Sequence, residues 1–134
     1  MHCFLILLAI SFAKECTFSI DEGATSIDPN KYEDCDQLTL NDITLTNIVT
    51  IGKSAFKGCI SFTGTLTIPS SVKTIDDYAF ASTSISQLKI DGNTLETIGQ
   101  YAFNKCTEIT SITFPTDHAL QVIGEGAFAE CGKL

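Results

Sequence analysis

The stretch that decides the fold is "TIGQYAFNKC", Thr97 to Cys106. Alone it has the look of a site: a glycine beside an apolar residue, Tyr and Phe flanking an alanine, then a lysine and a cysteine. It recurs, however, as "TIGKSAFKGC" from Thr50 to Cys59, "TIDDYAFAST" from Thr74 to Thr83 and "VIGEGAFAEC" from Val122 to Cys131. A segment that returns four times with its small and apolar positions fixed is first of all a building block.

The isoleucines of the four copies, Ile51, Ile75, Ile98 and Ile123, are spaced by 24, 23 and 25 residues, the period of leucine-rich repeats and shorter than ankyrin or tetratricopeptide units. Three residues before each lies an apolar side chain (Ile48, Val72, Leu95, Leu120), and four and five residues after each come Ala and Phe: Ala55-Phe56, Ala79-Phe80, Ala102-Phe103 and Ala127-Phe128. Between the units sit "LTI" at 66–68, "LKI" at 88–90 and "ITF" at 112–114, whose period-two alternation reads as short strands. Pro69 and Pro115 close two of them, because proline supplies no ladder donor. Ile51, Ala55 and Cys59, at i, i+4 and i+8, read as one face of a short helical turn. The expected fold is an α/β repeat: a leucine-rich-repeat solenoid with one short strand and one short helical or 3₁₀ segment per 23–25-residue unit. No unit buries its apolar side alone, but stacked units bury each other's. Each fully buried Phe contributes about 1.5–3 kcal/mol, so four in a ladder form a spine. Gly52, Gly99 and Gly124 mark a position of positive φ or close backbone approach. Asp76 stands there in the second unit and, on the first alternative, is a residue that tolerates the left-handed region.

The 134 residues suffice for one domain with a core, and they carry 16 acids, 8 lysines and no arginine. Between Lys14 and Asp42 eight acids oppose two lysines, a net −6 that leaves −2 for the rest. Such a surface excludes nucleic acid, whose phosphates need clustered Lys and Arg. Residues 1–13, "MHCFLILLAISFA", read as a signal peptide cut before Lys14, too short for a permanent span, which places the protein on the secretory route. Its removal leaves Cys16, Cys35, Cys59, Cys106 and Cys131, an odd number, so at least one thiol is unpaired or pairs outside the chain. Cys59, Cys106 and Cys131 share their place with Thr83, a position for a small residue that is buried or bonds a loop backbone. Cys16 and Cys35 bracket the acidic segment, and a Cys16–Cys35 disulfide closing an N-terminal cap over 14–47 is expected. Repeats fill 48–134, the last one incomplete.

Chemistry is poorly provided for. There is no C-x-x-C, and His118 is the one histidine outside the leader, so neither a metal nor a cofactor is expected. Ser54, Ser70 and Ser71 lack a nucleophile-elbow context, and the carboxylate pairs Asp76-Asp77 and Glu33-Asp34 are of the solvated kind, so no catalytic residue is assigned and an enzyme is not expected. "YEDCD", Tyr32 to Asp36, lacks the alternating spacing of a calcium loop. A candidate binding face does emerge. In each L-x-I strand the central residue points outward, which puts Thr67, Lys89 and Thr113 in one row and Thr65, Gln87 and Ser111 in a second. The bland alternative is a solvated row of strand-favouring residues, and neither row holds a large aromatic anchor.

The I-G-x-x-A-F-x-x-C pattern, the L-x-I-P strand and the S-V-x-x-I run of "IPSSVKTI" (Ile68 to Ile75) resemble the BspA-like leucine-rich-repeat family over Ile48 to Leu134. The resemblance implies a right-handed solenoid in an exported protein of a bacterium or mucosal protozoan. It also implies a secreted or cell-surface adhesin that engages host or neighbouring-cell proteins. The alternative is a coat element that self-associates through its solenoid ends without a specific ligand. Asp76, Thr83 and the proline-free "LKIDGN" depart from the pattern and predict local irregularity at 76–93. After Cys131 the next strand is missing, so a fragment or a truncated gene product is the expectation, since the resemblance implies further repeats and in some members an anchor.

Overall fold

A computed structural model describes residues 16–134; the leader at 1–13 lies outside the described residues. The chain winds into a β-solenoid of two parallel sheets. The first contains the two-residue strands β1 (Ser26–Ile27), β2 (Thr50–Ile51), β4 (Thr74–Ile75), β6 (Thr97–Ile98) and β8 (Val122–Ile123), neighbours in that order. The second contains β3 (Thr63–Ile68), β5 (Ser84–Ile90) and β7 (Ser111–Thr113). Each complete repeat from Thr50 to Thr113 therefore holds two strands, where one is expected from sequence. The Thr-Ile pair that opens a unit is too short for period-two alternation to reveal it.

The expected helical segment is not formed. The third and seventh residues after each isoleucine have positive φ: Asn30 and Asp34, Ser54 and Gly58, Tyr78 and Ser82, Tyr101 and Lys105, Gly126 and Glu130. A left-handed residue every fourth position stops a right-handed helix from propagating. The amides alternate instead. Ser54, Phe56 and Gly58 donate to Asp77, Ala79 and Ala81 of the next coil at 2.8–2.9 Å, while Ala55, Lys57 and Cys59 donate to Gly52, Ser54 and Phe56 of their own coil at 3.1–3.3 Å. This pairing satisfies the backbone of a buried segment without a helix. Ile51, Ala55 and Cys59 still share a buried side, through alternating turns. Among the described residues the one helical stretch is the 3₁₀ turn Leu40–Asp42.

The register extends upstream of Ile48. Ile27 pairs with Ile51, and counting on from Ile27 puts Tyr32 at the Phe position and Cys35 at the cysteine position. Tyr32 and the phenylalanines then stack coil on coil: Tyr32–Phe56 5.3 Å, Phe56–Phe80 5.3 Å, Phe80–Phe103 5.4 Å and Phe103–Phe128 5.3 Å between centroids, with planes within 14°. Phe56, Phe80 and Phe103 are wholly buried, and Phe128 is half-buried. Upstream of the first coil Phe18 packs 5.2 Å from Tyr32, whose hydroxyl donates to the Ser19 carbonyl at 2.7 Å. Cys16 and Cys35 are joined as a disulfide.

Of the two alternatives for the repeat glycines, close approach holds at Gly52, Gly99 and Gly124, none of which has positive φ. A Cβ on Gly99 would stand 2.6 Å from the Asp77 backbone nitrogen. Asp76 likewise has no positive φ, so tolerance of the left-handed region does not explain it; its carboxylate accepts the Asp77 N–H at 2.8 Å. The anticipated irregularity appears as a register shift, with Gly64 paired to Ile85 but Thr65 to Gln87, leaving Ser86 as the extra residue of β5.

Candidate binding face

The second sheet positions the two candidate rows. Its register aligns Thr65 with Gln87 and Ser111, and Thr67 with Lys89 and Thr113. All six side chains are exposed, while Leu66, Ile68, Leu88 and Ile90 between them are buried. The alternation that shapes the strands thus sorts polar residues outward and apolar ones into the core. Thr65 Oγ1 lies 3.1 Å from Gln87 Oε1, and Lys89 Nζ pairs with Asp91 at 3.2 Å. The surface is flat, small-grained and mostly neutral, with one cation that reaches solvent. Such a surface can offer hydrogen bonds to a protein partner; it gathers no nucleophile and base.

The repeat cysteines lie on the opposite, turn side, inside the core. Cys59 Sγ donates to the Tyr32 carbonyl at 3.1 Å, Cys106 Sγ to that of Phe80 at 3.2 Å, and Cys131 Sγ to that of Phe103 at 3.1 Å. Each thiol thus bonds the aromatic residue one coil back. Cys35 is the first of the series with no described aromatic coil behind it, and its sulfur is bonded to Cys16. Burial pushes the Cys106 thiol up to about 11 and raises that of Cys131 as well, so both stay protonated donors at neutral pH. Thr83 Oγ1 sits 3.3 Å from Cys106 Sγ. Among the described residues no three His, Cys, Asp or Glu side chains converge as a metal site would require.

One partly exposed feature escapes the strand-based reading. Tyr78 and Tyr101 stack at 5.2 Å on the turn side, Lys57 Nζ lies 5.9 Å from the Tyr78 ring centroid, and the Tyr101 ring covers Gly126. The signal is present in the sequence as tyrosine at the same place in two consecutive units, three residues after Ile75 and Ile98. An open cavity of about 750 Å³ near the N-terminal disulfide, lined by Asp34, Asp36 and Asp42 among others, is separate from both features.

The family model described as "BspA type Leucine rich repeat region" matches residues 25–134 with six copies. The chain belongs to the BspA-type leucine-rich-repeat family. The match begins upstream of Ile48, in agreement with the strand pairing of Ser26–Ile27. No curated protein and no solved structure matches the chain. BspA-type repeats form a scaffold compatible with protein binding at a surface, and among the described residues no helix is long and apolar enough to cross a membrane.

Proposed function

We propose that the protein is a non-enzymatic secreted or cell-surface adhesin that uses its second sheet to engage a host or neighbouring-cell protein. The observation that carries this reading is the register of Thr65, Gln87 and Ser111 beside Thr67, Lys89 and Thr113, six exposed side chains in two aligned rows on a buried apolar base. Solenoids offer such extended surfaces to protein partners. Export rests on the signal-peptide reading of residues 1–13. The segment around Cys16–Cys35 serves as the N-terminal cap, because Phe18 and the disulfide cover the first aromatic ring.

The test is binding of the purified protein to cells or immobilised extracellular proteins, comparing wild type with Lys89→Glu and Thr67→Asp. Both variants are expected to keep the fold and lose binding; unchanged binding by both rules out this face. The alternative reading is a coat element that assembles through its solenoid ends without a specific ligand. It predicts oligomers that grow with concentration and are abolished by Ile123→Lys, and a strictly monomeric protein contradicts it.

A further inference from the structure

We propose that Tyr78 and Tyr101 form a site for oxidative cross-linking, where a peroxide and a peroxidase join the two phenols into a dityrosine that bonds one coil to the next. The pair stands at the same place in consecutive coils on the turn side, with ring centroids 5.2 Å apart and planes 16° apart. Both rings are partly exposed. The coil before offers Tyr78 the Lys57 ammonium, 5.9 Å from its ring centroid, and the coil after places Gly126 against Tyr101. Lys57 is held there, with its Nζ 3.4 Å from Glu33. Each tyrosine therefore has the other as its ring neighbour. A side chain at position 126 would collide with Tyr101 Cε1, so the glycine leaves space for a carbon beside the hydroxyl-bearing one, the kind at which phenoxyl radicals couple.

The rest of the chain leaves oxidising equivalents few other places to settle. It has three tyrosines, no tryptophan and one methionine, Met1, at the start of the leader. The third tyrosine, Tyr32, is 2% exposed; its hydroxyl donates to the Ser19 carbonyl at 2.7 Å and accepts the Ser19 N–H at 3.0 Å. Its ring packs on Phe18 and Phe56 and so faces no second phenol. The thiols of Cys59, Cys106 and Cys131 are buried, and cysteine oxidation follows exposure and thiolate character. Tyr78 and Tyr101 are thus the accessible phenols and also the adjacent ones.

A peroxidase takes one electron and one proton from each phenol. The two phenoxyl radicals combine at carbons beside the hydroxyl-bearing ones and form one carbon–carbon bond. The hydrogen on each coupled carbon then moves to its oxygen, which restores both phenols, and hydrogen peroxide takes up the two electrons and two protons to leave as two waters. Stacking favours this coupling over one between molecules, because groups held side by side in one fold react as a unimolecular pair. The new bond lies on the turn side and leaves the strand face untouched, so the inference does not rest on the adhesin reading.

The test is treatment of the full chain with a haem peroxidase and hydrogen peroxide. The expected product is a monomer lighter by two hydrogen atoms, with dityrosine fluorescence, whose digest joins a peptide containing Tyr78 to one containing Tyr101. Its yield should hold when the protein is diluted about tenfold, as a unimolecular coupling requires, and its melting temperature should rise. Tyr78→Phe and Tyr101→Phe, which keep a ring in the stack, should each lose the fluorescence of the monomer. Cross-linked dimers as the sole dityrosine product, a link that includes Tyr32, or treated monomer with no cross-link overturns the proposal. The mass readout is on the wild-type protein, so it holds whether or not a variant folds.

Discussion

The two sides of the solenoid satisfy their backbones by different means. On the turn side the amides of 54–59, 78–82 and 101–106 alternate between their own coil and the next, and rings stack from Tyr32 to Phe128 without interruption. On the strand side there are three strands for five coils, a register shift at Gly64/Thr65, and an edge with no backbone partner among the described residues. The turn side repeats because its residues are locked by neighbours above and below; the strand side varies because its outer face answers to solvent. Stability belongs to the first and availability for binding to the second.

The comparison breaks most sharply at the ladder. Phe80→Ala removes a ring stacked on both faces, and chemical denaturation is expected to show a loss of about 3–5 kcal/mol. Phe128→Ala, which removes a half-buried ring with one described stacking partner, costs clearly less. Equal losses would mean that the rings do not act as a stack. Next in size is the Cys16–Cys35 disulfide, whose sequence separation of 19 residues corresponds to about 3 kcal/mol of chain entropy. Its reduction should lower the melting temperature without abolishing the ladder, read as retained near-UV dichroism.

The cysteine position gives a pH-dependent test. The Cys106 thiol has a folded-state pKa raised from 9.0 to about 11 by burial, so its contribution is full below the ordinary value and is lost as pH rises toward 11. Cys106→Thr, copying Thr83, should therefore flatten stability between pH 9 and 11 in urea titrations while lowering it by about 1 kcal/mol at pH 7. The smallest expected change is on the strand face. Lys89→Glu disrupts one exposed ion pair with Asp91 and should move stability by no more than about 0.5 kcal/mol. A large destabilisation would show that the face is part of the core architecture.

Much of this was legible in the sequence, for a physical reason. Positions whose side chains meet their equivalents in neighbouring coils repeat, so Ile51, Ala55, Phe56 and Cys59 could be read by register alone, and the outward rows followed from strand alternation. The first coil was hidden because Lys31-Tyr32 replaces Ala-Phe and Asp28 replaces Gly, although Ile27 and Cys35 keep their places. The turn conformation was hidden because helices and alternating left-handed turns both bring every fourth residue to one side. The left-handed positions are filled by Asn, Asp, Ser, Tyr, Lys, Glu and Gly in different coils, so no single residue type marks them. The open edge of β3 is a property of which strands fail to form, and no local pattern records that.

Native-state hydrogen exchange on the wild-type protein tests the division between the two sides most directly. The amides of Phe56, Phe80 and Phe103, each donated to the next coil at 2.8 Å, should exchange only through global unfolding, while those of Thr65 and Thr67 exchange orders of magnitude faster. Comparable protection on both sides, or faster exchange in the ladder than at β3, would contradict the account.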